Sequence, residues 1–292
     1  MVSKLIEPVK YVFRNAHYPI RNYLKHPSHL FKMIAWRFLS QPSDQEHVFV
    51  VGAPRSGTTL LQTLIASHSQ FCTYQGESNL FTWKNIFYRR NHLGLDPDFV
   101  RKQLKQAGSL VSFFDACVAE FRAQNGERRF VEKTPQHIRH LSFMTRKFPE
   151  SKILHIHRDG RDCFCSARTA RIPRGEDVSQ FANYWRSCIR SRIACTRDQS
   201  ILNVSYEELT ADPHKIMKAI MQFIGDELEE GQVDSSTRRN DRRSKQDKFS
   251  RLSGKVDTSS QERWKSEMTD REIEVFASRA ADELRYLGYQ VE

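Results

Sequence analysis

The chain has 292 residues, 39% of them hydrophobic and 11% aromatic, which suits one large α/β domain or two small ones. Its formal charge of +11 favours anionic partners such as nucleotides, acidic sugars, nucleic acid or a membrane surface, and a merely soluble basic surface is the alternative. The six cysteines form no CxxC pair and match no structural zinc site, which fits a reducing cytoplasm best.

Residues 1–44 form a basic and aromatic segment that we predict to be helical, and residues 45–292 are predicted to form one domain. No secretory signal is visible, and no apolar run approaches the roughly 20 residues that a membrane-spanning helix needs. Residues 1–40 could lie on an anionic membrane, or their helices could pack on the core. We therefore expect a cytoplasmic protein, with peripheral membrane contact left open.

Short apolar runs alternate with amphipathic stretches along the rest of the chain. The runs predict strands at 47–52, 71–74, 129–132, 152–157 and 201–204. Helices are predicted to begin near 57, 96, 110, 134, 159, 181 and 212, and a last helix spans 269–287. This alternation predicts an α/β fold in which a mostly parallel sheet carries helices on both faces. Residues 230–260 are polar and basic, and we interpret them as a flexible loop or lid.

The segment from Gly52 to Thr59 joins the first predicted strand to a helix. Backbone N–H groups in such a loop converge on an anion together with the positive end of the helix. Gly52 and Gly57 have the Walker spacing, but Thr58 follows where the Walker loop has Lys, and Arg55 stands inside the loop. We find no strand ending in a convincing acidic ligand for Mg²⁺. The loop therefore suits a nucleotide with fewer charges at its reacting end, as a sulfate ester has, and an ordinary strand–helix turn is the alternative.

Two motifs carry a resemblance to a known family. With Pro54-Arg-Ser-Gly-Thr-Thr59 and with His157-Arg-Asp-Gly-Arg-Asp162 leading to Ser166, the chain resembles the sulfotransferase family. The resemblance covers roughly residues 48–206, with a weaker similarity near Trp264. It implies a P-loop-like three-layer fold and a single sulfotransferase domain. It also implies 3′-phosphoadenosine 5′-phosphosulfate (PAPS) as cofactor, adenosine 3′,5′-bisphosphate (PAP) as its product, and no metal.

The resemblance implies a 5′-phosphosulfate site, a 3′-phosphate site and a C-terminal closing segment. A guanidinium at the carboxyl edge of a strand can bind a phosphate bidentately, although Arg158 could instead pair with Asp159 or Asp162 at the surface. The C-terminal basic loop lacks the family's usual Arg-Lys-Gly form, and Trp264 could stack on adenine or cap the core. The cofactor-binding residues so implied are Arg55, Ser56, Gly57, Thr58, Thr59, Arg158, Ser166, Tyr206, Lys255 and Arg263.

Sulfuryl transfer needs a base on the acceptor hydroxyl and positive charge near the leaving phosphate. Glu77 follows the second predicted strand and Lys133 ends the third. The protein-tyrosine and glycosaminoglycan branches of the family look similar here, which implies Glu77 as base, Lys133 beside the sulfuryl group and Arg55 as a stabilising cation. The alternatives are a helix-end carboxylate for Glu77, a solvated Lys133, and Glu132 as the group that orients Lys133 or as the base itself.

Other titratable groups do not predict a metal site. His155 and His157 share a face of one strand, and His137 and His140 are one turn apart, yet the phosphate site already accounts for this region. The cysteine pair at 163 and 165 faces different directions on a helix.

The acceptor is a hydroxyl-bearing glycan, lipid headgroup, peptide or small molecule, and the Glu-type base favours a carbohydrate or other large molecule. No specific nucleic acid is expected. A P-loop kinase or nucleotide hydrolase, which would need Mg²⁺ and bind ATP, is one alternative. A basic, non-enzymatic module that binds nucleic acid or membrane with strong salt dependence is the other.

Overall fold

The structure is a computed structural model that describes residues 27–38, 40–82, 86–87, 91–172, 175–197, 199–234 and 256–291. The predicted loop or lid at 230–260 is therefore described only at its two ends. Lys255 and residues 1–26 of the N-terminal segment lie outside the described residues.

A parallel sheet of five strands lies at the centre of the described chain. The strands are β1 (Val48–Gly52), β2 (Phe71–Thr73), β3 (Arg129–Lys133), β4 (Lys152–His157) and β5 (Ile201–Ser205). Their order across the sheet is β2-β3-β1-β4-β5, and every neighbouring pair is parallel. The strands predicted from apolar runs are confirmed, each to within one residue at either end.

Helices connect the strands, and their starts follow local capping signals. Asp96 accepts from two backbone N–H groups with Pro97 at the first helical position, and Asp177 accepts from the N–H of Gln180, so the helix predicted at 181 begins earlier. The start predicted at 134 is a 3₁₀ turn, Pro135–His140. The helices are α1 (Pro27–Phe38), α2 (Thr58–Ala66), α3 (Pro97–Gln106), α4 (Leu110–Ala123), α5 (Leu141–Lys147), α6 (Gly160–Thr169), α7 (Val178–Ile193), α8 (Tyr206–Ala211), α9 (Pro213–Phe223), α10 (Trp264–Glu267) and α11 (Asp270–Tyr286).

Both faces of the sheet are buried. Successive strand side chains point to opposite faces, so Val48 and Val50 pack with Leu61 and Leu64 of α2, while Phe49 and Val51 join the larger core on the other face. Burial on both sides explains why β1, at the centre of the sheet, is a continuous apolar run. The three-layer α/β fold is confirmed.

The carboxyl ends of all five strands meet at one edge of the sheet. The chain leaves β1 toward β3 and β2 and later returns to β4 on the other side, so the strand order switches next to β1. Open α/β sheets bind ligands outside the carboxyl ends at such a switch point. Arg55, Glu77, Lys133, Arg158 and Tyr206 each follow or end a different strand at this edge.

The described part of the N-terminal segment packs on the core. Trp36 of α1 is 3% exposed and lies against the rings of Phe87 and Phe113. Across the described ranges, no helix has both the length and the apolarity that crossing a bilayer requires. Membrane contact through residues 1–40 stays a prediction.

Candidate active site

The loop after β1 turns sharply into α2. Arg55 and Gly57 have positive φ angles of 72° and 98°, and a Cβ on Gly52 would lie 2.3 Å from the carbonyl oxygen of Ile156. The Ser56 hydroxyl closes the turn by donating to the carbonyl of Ala53 at 2.7 Å. Thr58 and Thr59 then form the first turn of α2, whose N–H groups have no intrahelical acceptor. Such a turn provides a cradle for one anion.

Arg158 is buried behind this loop, where 4% of the residue's surface is exposed. Its Nη1 donates to the carbonyl of Arg55 at 3.3 Å, its Nη2 donates to the carbonyl of Ser260, and its guanidinium lies 4.5 Å from the ring centre of Tyr206. Its Nε is buried and lacks a hydrogen-bond partner among the residues that the structure describes. An orphaned, charged N–H at this edge fits an anionic oxygen as its acceptor.

Arg55 joins the two sequence motifs, because its Nε donates to the Ser166 hydroxyl at 3.1 Å. Arg263 lies on the same side, where its Nη2 donates to Thr169 at 3.1 Å and its Nε pairs with Glu267 at 2.7 Å. Burial is the main cause that lowers the pKa of Arg55, and the like charges of Arg158 and Arg263 contribute. Three guanidiniums this close together favour a polyanionic ligand.

Tyr206 links the loop after β1 to the end of β5. A Cβ on Gly57 would lie 2.4 Å from Cδ2 of Tyr206, so only glycine fits between the helix start and the ring. Tyr206 is 9% exposed. It therefore lies at the predicted cofactor site and also fills the core.

Glu77 and Lys133 meet on the β2–β3 side of the edge. The Lys133 Nζ donates to Glu77 Oε1 at 3.1 Å, although 56 residues separate them in the chain. The Lys133 side chain is 4% exposed and that of Glu77 is 39% exposed. A carboxylate that is held by a buried ammonium and still open to solvent can receive a proton from an incoming hydroxyl.

Glu132 does not fit the alternative role of base. Its side chain is 1% exposed and accepts hydrogen bonds from Ser78, Thr134 and His137. Burial by itself raises the pKa of Glu132, but the adjacent His137 and the two hydroxyls outweigh it and lower the pKa. Glu132 is thus an ionised carboxylate enclosed in the protein.

The C-terminal residues pack around α6. The Arg161 guanidinium lies 3.6 Å from the centre of the Trp264 ring, and the backbone N–H of Trp264 donates to Asp162 at 3.0 Å. These contacts favour packing of Trp264 over stacking on adenine. Asp159 pairs with Arg161 at 2.8 Å. Arg158 pairs with Asp162 at 3.7 Å, as the alternative to phosphate binding expects, but both side chains are buried and not at the surface.

The histidines considered for metal binding take part in hydrogen bonds instead. His155 Nδ1 lies 3.0 Å from Asn203 Oδ1, and His157 Nδ1 lies 3.1 Å from the Tyr289 hydroxyl. Within the described ranges, no group of three or more His, Cys, Asp or Glu side chains is placed to hold a metal ion. All six cysteines are buried and free.

Sequence reasoning missed Ser78 and His137 as parts of this edge, and it named Ser260 only as part of a possible closing segment, without its contact to Arg158. Ser78 lies 54 residues from Glu132, and Ser260 lies 102 residues from Arg158. No local pattern signals such pairs, because they form only when the strands and the C-terminal segment assemble.

Comparison with known proteins decides the family. The model of the Sulfotransferase family matches residues 47–230, which is more than half of the chain. The chain belongs to the Sulfotransferase family. This membership agrees with the two motifs at the switch point of the sheet.

Similar sulfotransferases are found by sequence and by structure. Protein-tyrosine sulfotransferase 2 of Gallus gallus is 29% identical over 61% of this chain and 50% of its own length. The protein-tyrosine sulfotransferase of Drosophila melanogaster is 26% identical over 64% of this chain and 40% of its own length. The chain thus spans about half the length of these sulfotransferases.

Two solved structures share the sulfotransferase fold. The sulfotransferase domain of the Synechococcus PCC 7002 olefin synthase has a TM-score of 0.59 and 20% identity, over 82% of this chain and 98% of that one. Mouse sulfotransferase SULT7A1, complexed with PAP, has a TM-score of 0.52 and 14% identity, over 87% of this chain and 89% of that one. At these identities the likeness supports the fold alone.

Proposed function

We propose that this chain transfers a sulfuryl group from PAPS to a hydroxyl of an acceptor. The observation that carries the proposal is the contact of the two motifs, in which Arg55 Nε donates to the Ser166 hydroxyl beside the buried Arg158. Family membership supports the same reaction class, and the related mouse sulfotransferase was solved with PAP.

The residues at the edge fit a nucleotide with two separate anionic groups. The cradle of Ser56 to Thr59 with Arg55 suits the 5′ group, and the orphaned Nε of Arg158 with Ser166 suits the 3′-phosphate. Tyr206 and Arg263 border the second site. PAPS supplies the sulfuryl group when it is bound.

Glu77 and Lys133 would perform the proton transfer and the charge stabilisation. Glu77 accepts the proton of the acceptor hydroxyl, and its exposure lets a large molecule reach it. Lys133 holds the carboxylate in place and adds positive charge to the edge, and Arg55 contributes positive charge from the loop after β1.

The acceptor we propose is a carbohydrate or another large hydroxyl-bearing molecule. The relatives named protein-tyrosine sulfotransferases bring a peptide tyrosine into this class. Contact with a membrane through residues 1–40 and a cytoplasmic location remain proposals drawn from the sequence.

Binding and transfer experiments test this function. Calorimetry should detect PAP binding without Mg²⁺ and much weaker binding of ATP, because ATP has no 3′-phosphate. Incubation with ³⁵S-labelled PAPS and a panel of a tyrosine peptide, a glycan and p-nitrophenol should label a member of the panel. Tight binding of Mg·ATP without binding of PAP would point to a kinase or hydrolase and contradict the proposal.

A further inference from the structure

Glu132 stands next to Lys133 in β3, yet its side chain points to the opposite face because strand side chains alternate. It is 1% exposed. Burying a carboxylate is costly unless hydrogen bonds compensate for the lost water. The groups that compensate here show what Glu132 does.

Three side chains donate to the Glu132 carboxylate. The Ser78 and Thr134 hydroxyls donate to Oε1, each at 2.6 Å, and His137 Nδ1 donates to Oε2 at 3.1 Å. Ser78 directly follows Glu77, and Thr134 directly follows Lys133. The donors therefore belong to the two segments that carry the proposed catalytic pair.

The same three side chains accept backbone N–H groups from residues 79–81. Asn79 donates to Thr134 at 3.1 Å, Leu80 donates to Ser78 at 3.4 Å, and Phe81 donates to His137 Nε2 at 3.2 Å. Residues 74–82 contain no helix or strand. Side chains, and not a helix or strand, thus provide the hydrogen-bond acceptors for the backbone N–H groups of this loop.

Glu132 determines which way these groups face. A hydroxyl has one proton, and when that proton points at Glu132 the lone pairs face the loop amides. A histidine that donates from Nδ1 keeps Nε2 as an acceptor for Phe81. One carboxylate therefore orients three acceptors at once.

We propose that Glu132 is a positioning residue, which anchors the loop after Glu77 and so keeps the Glu77 carboxylate on the Lys133 ammonium. The kinetic consequence rests on the proposed sulfuryl transfer, whereas the anchoring of the loop does not. Glu132 itself touches neither the acceptor nor the cofactor site.

Glu132→Gln tests the proposal. The amide NH₂ would face His137 and favour the tautomer with its proton on Nε2, which opposes the Phe81 N–H. We expect amide hydrogen exchange at residues 79–81 to become at least about 10-fold faster. We also expect kcat for ³⁵S transfer from PAPS to the panel acceptor that the wild-type protein labels to fall about 10- to 100-fold, with the Kd of PAP changed less than about 3-fold.

Three further variants sharpen the test. Glu283→Gln makes the same change in another buried carboxylate, which pairs with Arg190 of α7, and should alter neither exchange at 79–81 nor kcat. Ser78→Ala removes one donor and should show the same effects more weakly, even where Glu132→Gln does not fold. In a Glu77→Gln background, Glu132→Gln should reduce kcat by less than about 2-fold further, because both changes act through one group.

Unchanged exchange at 79–81 in folded Glu132→Gln would overturn the proposal. The proposal would also be overturned if Glu132→Gln lowered kcat by the same factor in the Glu77→Gln background as in the wild-type protein, because Glu132 would then act independently of Glu77. Wild-type protein that labels no acceptor of the panel would instead refute the proposed function, while hydrogen exchange would still decide whether Glu132 anchors the loop.

Discussion

Arg158 and Glu77 differ in how the protein holds their charge. The Arg158 guanidinium is buried between a tyrosine ring and two carbonyl groups, and one of its N–H groups remains without a protein acceptor in the described residues. Glu77 is 39% exposed, and the buried Lys133 ammonium donates a hydrogen bond to it. The first arrangement suits a group that binds an anion with a permanent charge, and the second suits a group that must exchange protons.

Arg158→Ala and Glu77→Gln should therefore separate binding from transfer. Losing a charge-assisted contact worth about 1.5–3 kcal/mol should raise the Kd of PAP about 10- to 150-fold in Arg158→Ala. Glu77→Gln should keep the Kd within about 3-fold and lower kcat by roughly 10²–10⁴. Isothermal titration and ³⁵S transfer measure the two quantities.

Arg129→Ala is the control for this pair, since Arg129 contacts Asp226 at the opposite edge of the sheet. Turnover at the wild-type rate in Glu77→Gln would refute its role as base. An unchanged Kd in Arg158→Ala would remove Arg158 from the 3′-phosphate site.

The unit formed by β1, its loop and α2 depends on β5 and α8 as well. Gly57 has a φ of 98° and faces Tyr206, so the start of α2 and the start of α8 are in close contact. The shape of the phosphate cradle is consequently determined by two elements that are far apart in the sequence.

Gly57→Ala should damage the cradle beyond the cost of its backbone conformation. An L-residue at positive φ costs about 1–2 kcal/mol, and here the new methyl would also displace Tyr206. We expect the Kd of PAP to rise at least about 10-fold. Gly126→Ala is the matched control, because Gly126 has a φ of 70° with open space around it and should lose stability but not affinity. Equal affinities in the two variants would contradict the role of this contact.

His155, which is buried, and His140 and His157, which are half-buried, affect the stability of the whole molecule. Burial lowers the pKa of His155 and of His140 to about 3 and that of His157 to about 4. In the unfolded chain a histidine titrates near pH 6.5, so below that pH the unfolded state binds more protons than the folded state. Their contribution to stability is complete above pH 6.5 and is lost progressively toward pH 4.

The free energy of unfolding should be roughly 2–4 kcal/mol lower at pH 5.5 than at pH 7.5. Urea titrations at both values measure the difference while most carboxylates remain ionised. His157→Gln should reduce the difference by about 1 kcal/mol, and His214→Gln, which changes an exposed histidine of α9, should not. If the free energy of unfolding of His157→Gln fell between pH 7.5 and pH 5.5 by as much as that of the wild-type protein, this account would be contradicted.

The sequence by itself determined the strands, most of the predicted helix starts and the two phosphate motifs. Apolar runs, capping residues and glycine spacing act over a few residues, so a local pattern suffices to predict them. Only the tertiary structure decided that Glu77 meets Lys133 and that Glu132 faces Ser78, because those contacts join residues 56 and 54 positions apart. It also decided that Arg55 reaches Ser166 across 111 positions. Such contacts depend on the order of strands across the sheet, which no short segment encodes.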